Sequence, residues 1–186
     1  MRKFGTEAQN GLGVGIRLEG LCFFILVGFA MAARRERALL DPDSPEGSSV
    51  FDRMVYCIAG DGCMQEGVAS EASSLAGAQK LGNLVVIYDD NRITIEGGTD
   101  LAFTENVAAR FKAYRWHVLR VNDGNDLPAI QKALQEAKTE TEKPSLIVMR
   151  THIAYGSPNK QDSADAHGAP LGEKEIGLTK EFLGWP

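Results

Sequence analysis

Four short apolar segments constrain the fold of this chain more than any other feature. Each is rich in β-branched or aromatic residues, and none alternates with polar residues, so strands formed from them must be covered on both faces. Helical segments lie between them, and such alternation is typical of a parallel sheet. The sequence therefore predicts one α/β domain over residues 1–186, with a mainly parallel sheet between two helical layers. The segments are Met54–Ala59, Leu84–Asp89, His117–Val121 and Ser145–Arg150.

Helix signals occur between and after these segments. The predicted helix Thr104–Tyr114 opens with Thr104 as a candidate N-cap. The predicted helix Asp126–Lys138 opens with Asp126 as a cap and has Pro128 in its first turn, where the missing N–H of proline does no harm. Two further helices are predicted, over Gln65–Leu81 and Glu173–Phe182.

The composition excludes some classes of partner. The formal net charge of the 186 residues is −5, and the dense basic cluster is confined to Arg34–Arg37. Nucleic-acid binding requires a basic patch or stripe, so we expect no nucleic-acid partner. The three cysteines, Cys22, Cys57 and Cys63, lack metal-ligand spacing. An odd, irregularly spaced set is typical of reduced thiols, which predicts a cytoplasmic protein.

An apolar segment near the amino end, Leu21–Ala33, raises the question of a membrane. The residues before it include Glu7 and Glu19, whereas a signal peptide has only a short, positively charged region before its apolar core. The segment is also shorter than the roughly 20 apolar residues that a membrane-spanning helix needs. We therefore predict a buried helix and no membrane partner.

Polar residues follow the first two predicted strands. The first strand runs into Gly60-Asp61-Gly62, and the second runs into a segment with Asp90 and Asn91. The carboxyl ends of parallel strands meet at one edge of a sheet, where ligands bind. Glycines let backbone amides approach a phosphate, and Mg²⁺ prefers carboxylate and amide oxygens. Gly-Asp-Gly alone is more often a turn, and an Asp-Asp-Asn cluster after a strand is often a loop, so only their pairing favours a metal and phosphate site.

Together these segments resemble a motif of thiamine diphosphate enzymes, which begins at Gly-Asp-Gly and ends at Asn, here Gly60 to Asn91. Longer segments resemble transketolase, whereas pyruvate dehydrogenase and deoxyxylulose-phosphate synthase share only the motif. The resemblance is dense over residues 50–186 and weaker over residues 10–16. It implies the thiamine diphosphate-binding fold. The segments that carry it are GDGCMQEGVASEASSLAG, KLGNLVVIYDDNRITIEGGTD, FTENVAARFKAY, AYGSPNK, AHGAPLG and, weakly, NGLGVGI.

The resemblance to transketolase implies a set of ligands for thiamine diphosphate and its metal. Mg²⁺, with Ca²⁺ or Mn²⁺ as substitutes, would bind Asp61, Asn91 and the backbone carbonyl of Ile93. The glycines would contact the diphosphate, and two isoleucines would flank the thiazolium ring. The implied cofactor-binding residues are Leu12, Gly13, Gly60, Gly62, Ile95, Ile153 and His167.

The same resemblance implies catalytic roles for His167, Glu66 and Glu71. His167 would bind the diphosphate or line the substrate channel, and the glutamates would lie between the two cofactor sites of a dimer. From the residues alone, a loop histidine, a solvated helix face and core isoleucines remain open interpretations. His152 is a weaker site candidate, and His117 is predicted to be structural.

The implied reaction is transfer of a two-carbon ketol unit from a ketose donor, such as a sugar phosphate or a hydroxypyruvate-like compound, to an aldose. Transketolases activate the aminopyrimidine with a glutamate from a second domain, and no position of residues 1–186 matches it. We therefore expect a homodimer or a complex with a pyrimidine-domain chain. An atypical apolar insert near residues 17–27 also departs from the family. A minimal or split transketolase, an inactive cofactor-binding module and a truncated relic remain open.

Overall fold

The computed structural model describes residues 25–186, which alternate between helices and strands. Leu12, Gly13, Cys22 and residues 17–24 of the predicted insert lie outside the described residues. Residues 25–40 are helical and are named α1. The remaining elements are β1 (Val55–Gly60), α2 (Asp61–Gln65), α3 (Gly67–Ala78), β2 (Leu84–Asp90), β3 (Ile93–Thr94), β4 (Gly97–Gly98), α4 (Val107–Ala113), β5 (His117–Val121), α5 (Leu127–Thr139), β6 (Ser145–Arg150) and α6 (Glu173–Leu183), with 3₁₀ turns at Thr99–Leu101 and Ala164–Ala166.

The four predicted strands form one parallel sheet in the order β1-β2-β6-β5. All four strands run in the same direction, so their carboxyl ends share one edge. Gly60 at the end of β1 is opposite Asp89 of β2, and Asp90 is opposite Arg150 of β6. The predicted α/β class with a mainly parallel sheet is confirmed.

The two faces of the sheet have separate apolar cores. Leu84, Val86 and Tyr88 of β2 pack on the face covered by α1, α3 and α4, whereas Val85 and Ile87 belong to the core under α5. A strand buried on both sides has no polar face, which explains the continuous apolar segments in the sequence.

Within residues 25–186, the elements leave part of the second face of the sheet uncovered at β1. Tyr56 and Ile58 share this face with Val85 and Ile87, yet they are 44% and 76% exposed. The reason is that α5 packs against β5 and β6, at the other side of the sheet. Helices therefore lie on both faces of the sheet, as predicted, and among the described residues the cover of the second face is thinnest at this edge strand.

The helix α1 contains the described part of the apolar segment Leu21–Ala33. Val27, Ala30 and Ala33 are buried, but Phe29 on the other side of the helix is 60% exposed. The prediction of a buried helix is thus correct for one face only. Within residues 25–186, no helix is both long and apolar enough to cross a bilayer.

Two predicted helix starts differ from the structure. The helix predicted from Thr104 begins at Val107, because the side chain of Asn106 accepts a hydrogen bond from the Ala109 N–H and caps it. The helix predicted from Gln65 starts directly after β1 and breaks at Glu66 into α2 and α3. The Asp126 cap is confirmed, since its carboxylate accepts from the Ala129 N–H at 3.0 Å.

The loop between β6 and α6 is held by Glu175, a buried carboxylate in the first turn of α6. Its oxygens accept from the Ser157 hydroxyl at 2.5 Å, the Asn159 N–H at 2.8 Å and the Asn159 side-chain amide at 2.9 Å. The hydrogen bonds from Ser157 and Asn159 lower the pKa of Glu175 to about 2. The ionised side chain of Glu175 therefore stabilises the contact between the loop and α6.

Replacing Glu175 with Gln should destabilise the protein in a pH-dependent way. The ordinary pKa of the side chain is 4.5 and its folded value is about 2, so ionised Glu175 stabilises the fold fully above pH 4.5. That contribution is lost as the pH falls from 4.5 towards 2. We expect the difference in melting temperature between the unsubstituted chain and Glu175→Gln to shrink over this range. The control is Glu173→Gln, an exposed position in the same turn, and a pH-independent difference for Glu175→Gln would contradict the prediction.

Replacing Gly77 with Ala should strongly destabilise the protein, because a Cβ there would lie 1.8 Å from the backbone oxygen of Tyr114. Backbone must move to relieve that overlap, so we expect a loss of at least about 3 kcal/mol in the free energy of unfolding. Gly177→Ala in α6 is the matched control, since its Cβ would meet no atom within 4 Å and alanine favours helix by about 1 kcal/mol. Urea denaturation measures both; equal effects of the two substitutions would refute this packing.

Candidate functional site

A cleft of about 1100 Å³ opens at the carboxyl ends of β1, β2 and β6. It brings together nearly all described residues that the sequence singled out. Among the described residues predicted to be catalytic, cofactor-binding or metal-binding, only Glu71 is not part of its lining; it lies exposed on α3. The predicted site residues that line the cleft are Gly60, Asp61, Gly62, Glu66, Asn91, Ile93, Ile95, Ile153 and His167.

Asp61 follows β1 directly and is only 3% exposed. One carboxylate oxygen accepts from the Tyr88 hydroxyl, and the other accepts from the Arg92 N–H at 2.8 Å. Burial raises the pKa of Asp61 above its ordinary value of 3.8, and the charges of Asp90 and Asp89 add to this effect, while the two hydrogen bonds oppose it. A bound cation would relieve the cost of keeping this carboxylate ionised.

Tyr88 supports the same group from the neighbouring strand. Burial raises the pKa of Tyr88 well above its ordinary value of 10.0, and its hydrogen bond to Asp61 adds to the shift. The phenol therefore remains protonated and donates to the carboxylate. Sequence reasoning missed this residue. The available signal was the tyrosine hydroxyl in the apolar part of the predicted strand. Tyr88 directly precedes Asp89, and Asp89 is in register with Gly60.

Asn91, Arg92 and Ile93 form a tight turn after β2. The Asn91 amide oxygen accepts from the Ile93 N–H at 2.9 Å, and Arg92 has a left-handed conformation with φ of 64°. The Arg92 N–H reaches Asp61, so the turn lies directly beside that carboxylate. Amide, carboxylate and backbone carbonyl oxygens are thus available within one small region.

The donor set suits a hard divalent cation. Among residues 25–186, no three or more histidine, cysteine, aspartate or glutamate side chains form a metal cluster. Asp61, Asn91 and the backbone of Ile93 offer a carboxylate, an amide and a carbonyl oxygen instead. Such mixed oxygen ligands, completed by water and phosphate oxygens, are typical of Mg²⁺.

The glycines beside Asp61 leave room for a ligand. A Cβ placed on Gly60 or Gly62 would meet no atom of the protein within 4 Å, and both residues line the cleft. The backbone is therefore accessible at the first turn of α2, and the residues present fit a diphosphate held through a metal ion.

The lining of the cleft also contains apolar side chains. Ile95 and Ile153 are among them, and Ile95 is 44% exposed. Sequence reasoning missed four apolar lining residues on β1, β2, α5 and β6, because it followed the polar residues at strand ends and did not consider which side chains share one face of the sheet. The missed residues are Ile58, Ile87, Ile130 and Met149. A cleft with both polar and apolar lining residues suits a ligand with both characters.

The three histidines have different environments. His167 lines the cleft after the 3₁₀ turn Ala164–Ala166, and His152 lines it after β6. The Nδ1 atom of His152 lies 2.8 Å from a carboxylate oxygen of Asp162. The Nδ1 atom of His117 lies 3.1 Å from the Ser145 hydroxyl at the opposite end of the sheet, in agreement with a structural role.

Comparison with known proteins adds to this geometry. Residues 11–186 match the family model described as transketolase, thiamine diphosphate binding domain. The chain is 51% identical over 182 residues to transketolase of Mycobacterium leprae and 48% identical to transketolase 1 of Escherichia coli; each alignment covers 97% of this chain. The chain spans about a quarter of the length of these relatives, 25% and 26% respectively.

Solved structures agree with the sequence relatives. Transketolase from Campylobacter jejuni superimposes with a TM-score of 0.80 at 48% identity, covering 88% of this chain and 24% of that one. Pichia stipitis transketolase, in a complex with sedoheptulose-7-phosphate, gives 0.78 at 43% identity over 90% of this chain and 24% of its own. By its sequence, its fold and the residues that meet in its cleft, the chain belongs to the transketolase family, in which it corresponds to the thiamine diphosphate-binding domain.

Proposed function

We propose that this chain binds thiamine diphosphate through Mg²⁺ in the cleft and takes part in ketol transfer. The observation that carries the proposal is the buried carboxylate of Asp61, which lies between two accessible glycines and beside the Asn91–Ile93 turn. A buried acid near two further carboxylates is favourable only when a cation or a proton compensates its charge.

The metal would be held by three oxygen donors of this chain. Asp61 would supply a carboxylate oxygen, Asn91 its amide oxygen and Ile93 its backbone carbonyl. The Asn91 oxygen already bonds the Ile93 N–H, which holds the side chain beside Asp61. Ca²⁺ or Mn²⁺ could take the same oxygens, since both accept hard ligands.

The cofactor would contact both the polar and the apolar lining residues of the cleft. The backbone at Gly60 and Gly62 would contact the diphosphate, and Ile95 and Ile153 would flank the ring, in the apolar part of the cleft. Leu12 and Gly13 are proposed as further contacts on sequence grounds alone. When bound, thiamine diphosphate supplies the nucleophilic carbon on which ketol transfer depends.

The chain's own catalytic groups would be His167, Glu66 and Glu71. His167 and Glu66 line the cleft, where His167 would bind the diphosphate or contact the substrate. Glu71 is exposed on α3, a suitable position for contact with a second subunit. We therefore propose a homodimer, or a complex with a pyrimidine-domain chain, with the glutamates near the interface.

The proposed substrates are sugar phosphates and hydroxypyruvate-like donors, and the proposed location is the cytoplasm. Transketolase of Pichia stipitis has been solved in complex with sedoheptulose-7-phosphate and with xylulose-5-phosphate. These compounds present a carbonyl together with an anionic phosphate, and a ketol donor needs the carbonyl.

A second candidate function is a cofactor-binding module without activity of its own. This candidate needs only the cleft, with Asp61, Asn91 and the accessible backbone at Gly60 and Gly62. In this case the cleft would anchor thiamine diphosphate, and a pyrimidine-domain chain would complete the catalytic site. A truncated relic is the remaining alternative and would bind no cofactor.

Replacing Asp61 with Asn removes the buried negative charge and preserves the size of the side chain. We expect Mg²⁺-dependent binding of thiamine diphosphate to weaken at least about 100-fold, because a direct metal ligand is altered. Isothermal titration calorimetry with Mg²⁺ and with excess EDTA measures the affinity. Asp43→Asn, at an exposed loop position outside the cleft, removes the same charge and should leave binding unchanged. Full affinity in Asp61→Asn would refute the proposed metal site.

Ketol transfer from hydroxypyruvate to a small aldehyde separates the candidate functions. Turnover by the purified chain that Asp61→Asn abolishes would support a minimal transketolase. Binding without turnover, followed by activity on addition of a pyrimidine-domain chain, would support the module. Absence of thiamine diphosphate binding by the unsubstituted, folded chain would refute both.

A further inference from the structure

The segment after β6 is a closed loop whose two ends are joined twice. The Asp162 N–H donates to the Ile153 carbonyl at 3.1 Å, which closes the backbone. Immediately beside it, the His152 Nδ1 atom lies 3.0 and 2.8 Å from the two carboxylate oxygens of Asp162. A carboxylate only accepts, so Nδ1 carries the proton and donates to it. We name these two residues the His152–Asp162 clip.

The backbone at both ends of the loop is held in a conformation that side chains rarely adopt. Ala154 has φ of 52° and Asp162 has φ of 57°, both left-handed. Non-glycine residues keep such angles only where surrounding contacts enforce them. The contacts at this end of the loop include the clip, the Ile153–Asp162 hydrogen bond and a hydrogen bond of 3.0 Å from the Ser157 N–H to the Ala154 carbonyl.

The far part of the loop is secured separately. Ser157 and Asn159 donate to Glu175 of α6, and Gly156 lies against Leu183 of the same helix. These contacts fix the outer part of the loop to α6. They do not reach Ile153, which lies at the end next to the cleft.

We propose that the His152–Asp162 clip is a positioning pair that holds Ile153 in place in the apolar wall of the cleft. Asp162 is not part of the cleft lining and acts on the ligand only through His152 and the backbone that carries Ile153, whereas His152 also lines the cleft. This inference rests on the proposed function, because it concerns the ring of thiamine diphosphate against that wall. The clip should therefore affect binding of the ring of the ligand. It should not affect binding of the diphosphate, which the residues after β1 and β2 would hold.

Two substitutions at Asp162 separate the clip from the backbone strain. Asp162→Gly removes the carboxylate and tolerates the positive φ, so any change in binding reflects the lost clip. Asp162→Asn keeps an oxygen that accepts from His152 and also tolerates the left-handed conformation. His152→Ala removes the other partner, and the double variant His152→Ala/Asp162→Gly completes a cycle.

The measurement compares two ligands by titration calorimetry at saturating Mg²⁺. Thiamine diphosphate has both a diphosphate and a ring, whereas inorganic pyrophosphate has only the anionic part. We expect Asp162→Gly and His152→Ala each to raise the Kd for thiamine diphosphate about three- to tenfold, the effect of losing one preorganised side chain. The Kd for pyrophosphate should change less than about twofold, the double variant should resemble either single variant, and Asp162→Asn should bind like the unsubstituted chain.

Several results would overturn the inference. Unchanged thiamine diphosphate affinity in Asp162→Gly would show that the clip does not position the wall. Equal weakening for thiamine diphosphate and pyrophosphate would show a general structural effect, and thermal melts would reveal whether the variant has lost stability. Additive effects in the double variant would show that the two residues act separately. If the unsubstituted chain binds pyrophosphate but not thiamine diphosphate, the proposed function fails first and the inference fails with it.

Discussion

The parallel pairing of β1 with β2 is the constraint on which the candidate site depends. Its register places Gly60 opposite Asp89, so that both strands end at the same level. Asp61 then lies within hydrogen-bonding distance of the Arg92 N–H, although 31 positions separate them in sequence. Pairing of β2 with β6 adds Met149 and Thr151 to the same edge. A shift of one residue in the pairing register would move each side chain of the strand to the opposite face of the sheet and disrupt the cleft.

The buried carboxylate of Asp61 is electrostatically unfavourable in the unliganded protein, and binding of a cation would compensate its charge. Asp61 is buried near Asp89 and Asp90, and neutral donors from Tyr88 and Arg92 compensate it only partly. Such an arrangement is poor as a structural interaction, because removing a carboxylate from water costs free energy. It is favourable as a cation site, since burial strengthens every attraction to a bound metal. Burial of this carboxylate therefore lowers the stability of the unliganded fold and favours binding of a cation.

Local sequence patterns correctly predicted features that depend on residues within one turn of the chain. They did not predict features that depend on packing between distant segments. Asp126 and Pro128 define the start of α5 through contacts within one turn. Thr104 and Asn106 are both acceptable caps, and only the position of α4 in the folded chain selects Asn106. The Tyr88–Asp61 and His152–Asp162 pairs were not predicted, because nothing in one segment specifies which distant side chain it meets.

The sequence by itself determined the class of fold and predicted the chemistry at the strand ends. Continuous apolar segments indicate a sheet covered on both faces, and the pairing of Gly60-Asp61-Gly62 with the segment around Asn91 favours a phosphate and metal site. Only the tertiary structure decided the strand order β1-β2-β6-β5, the exposure of Ile58 and the partner of each buried polar group. The physical reason is that hydrophobic patterning and caps are local, whereas burial and charge compensation arise between residues far apart in the chain.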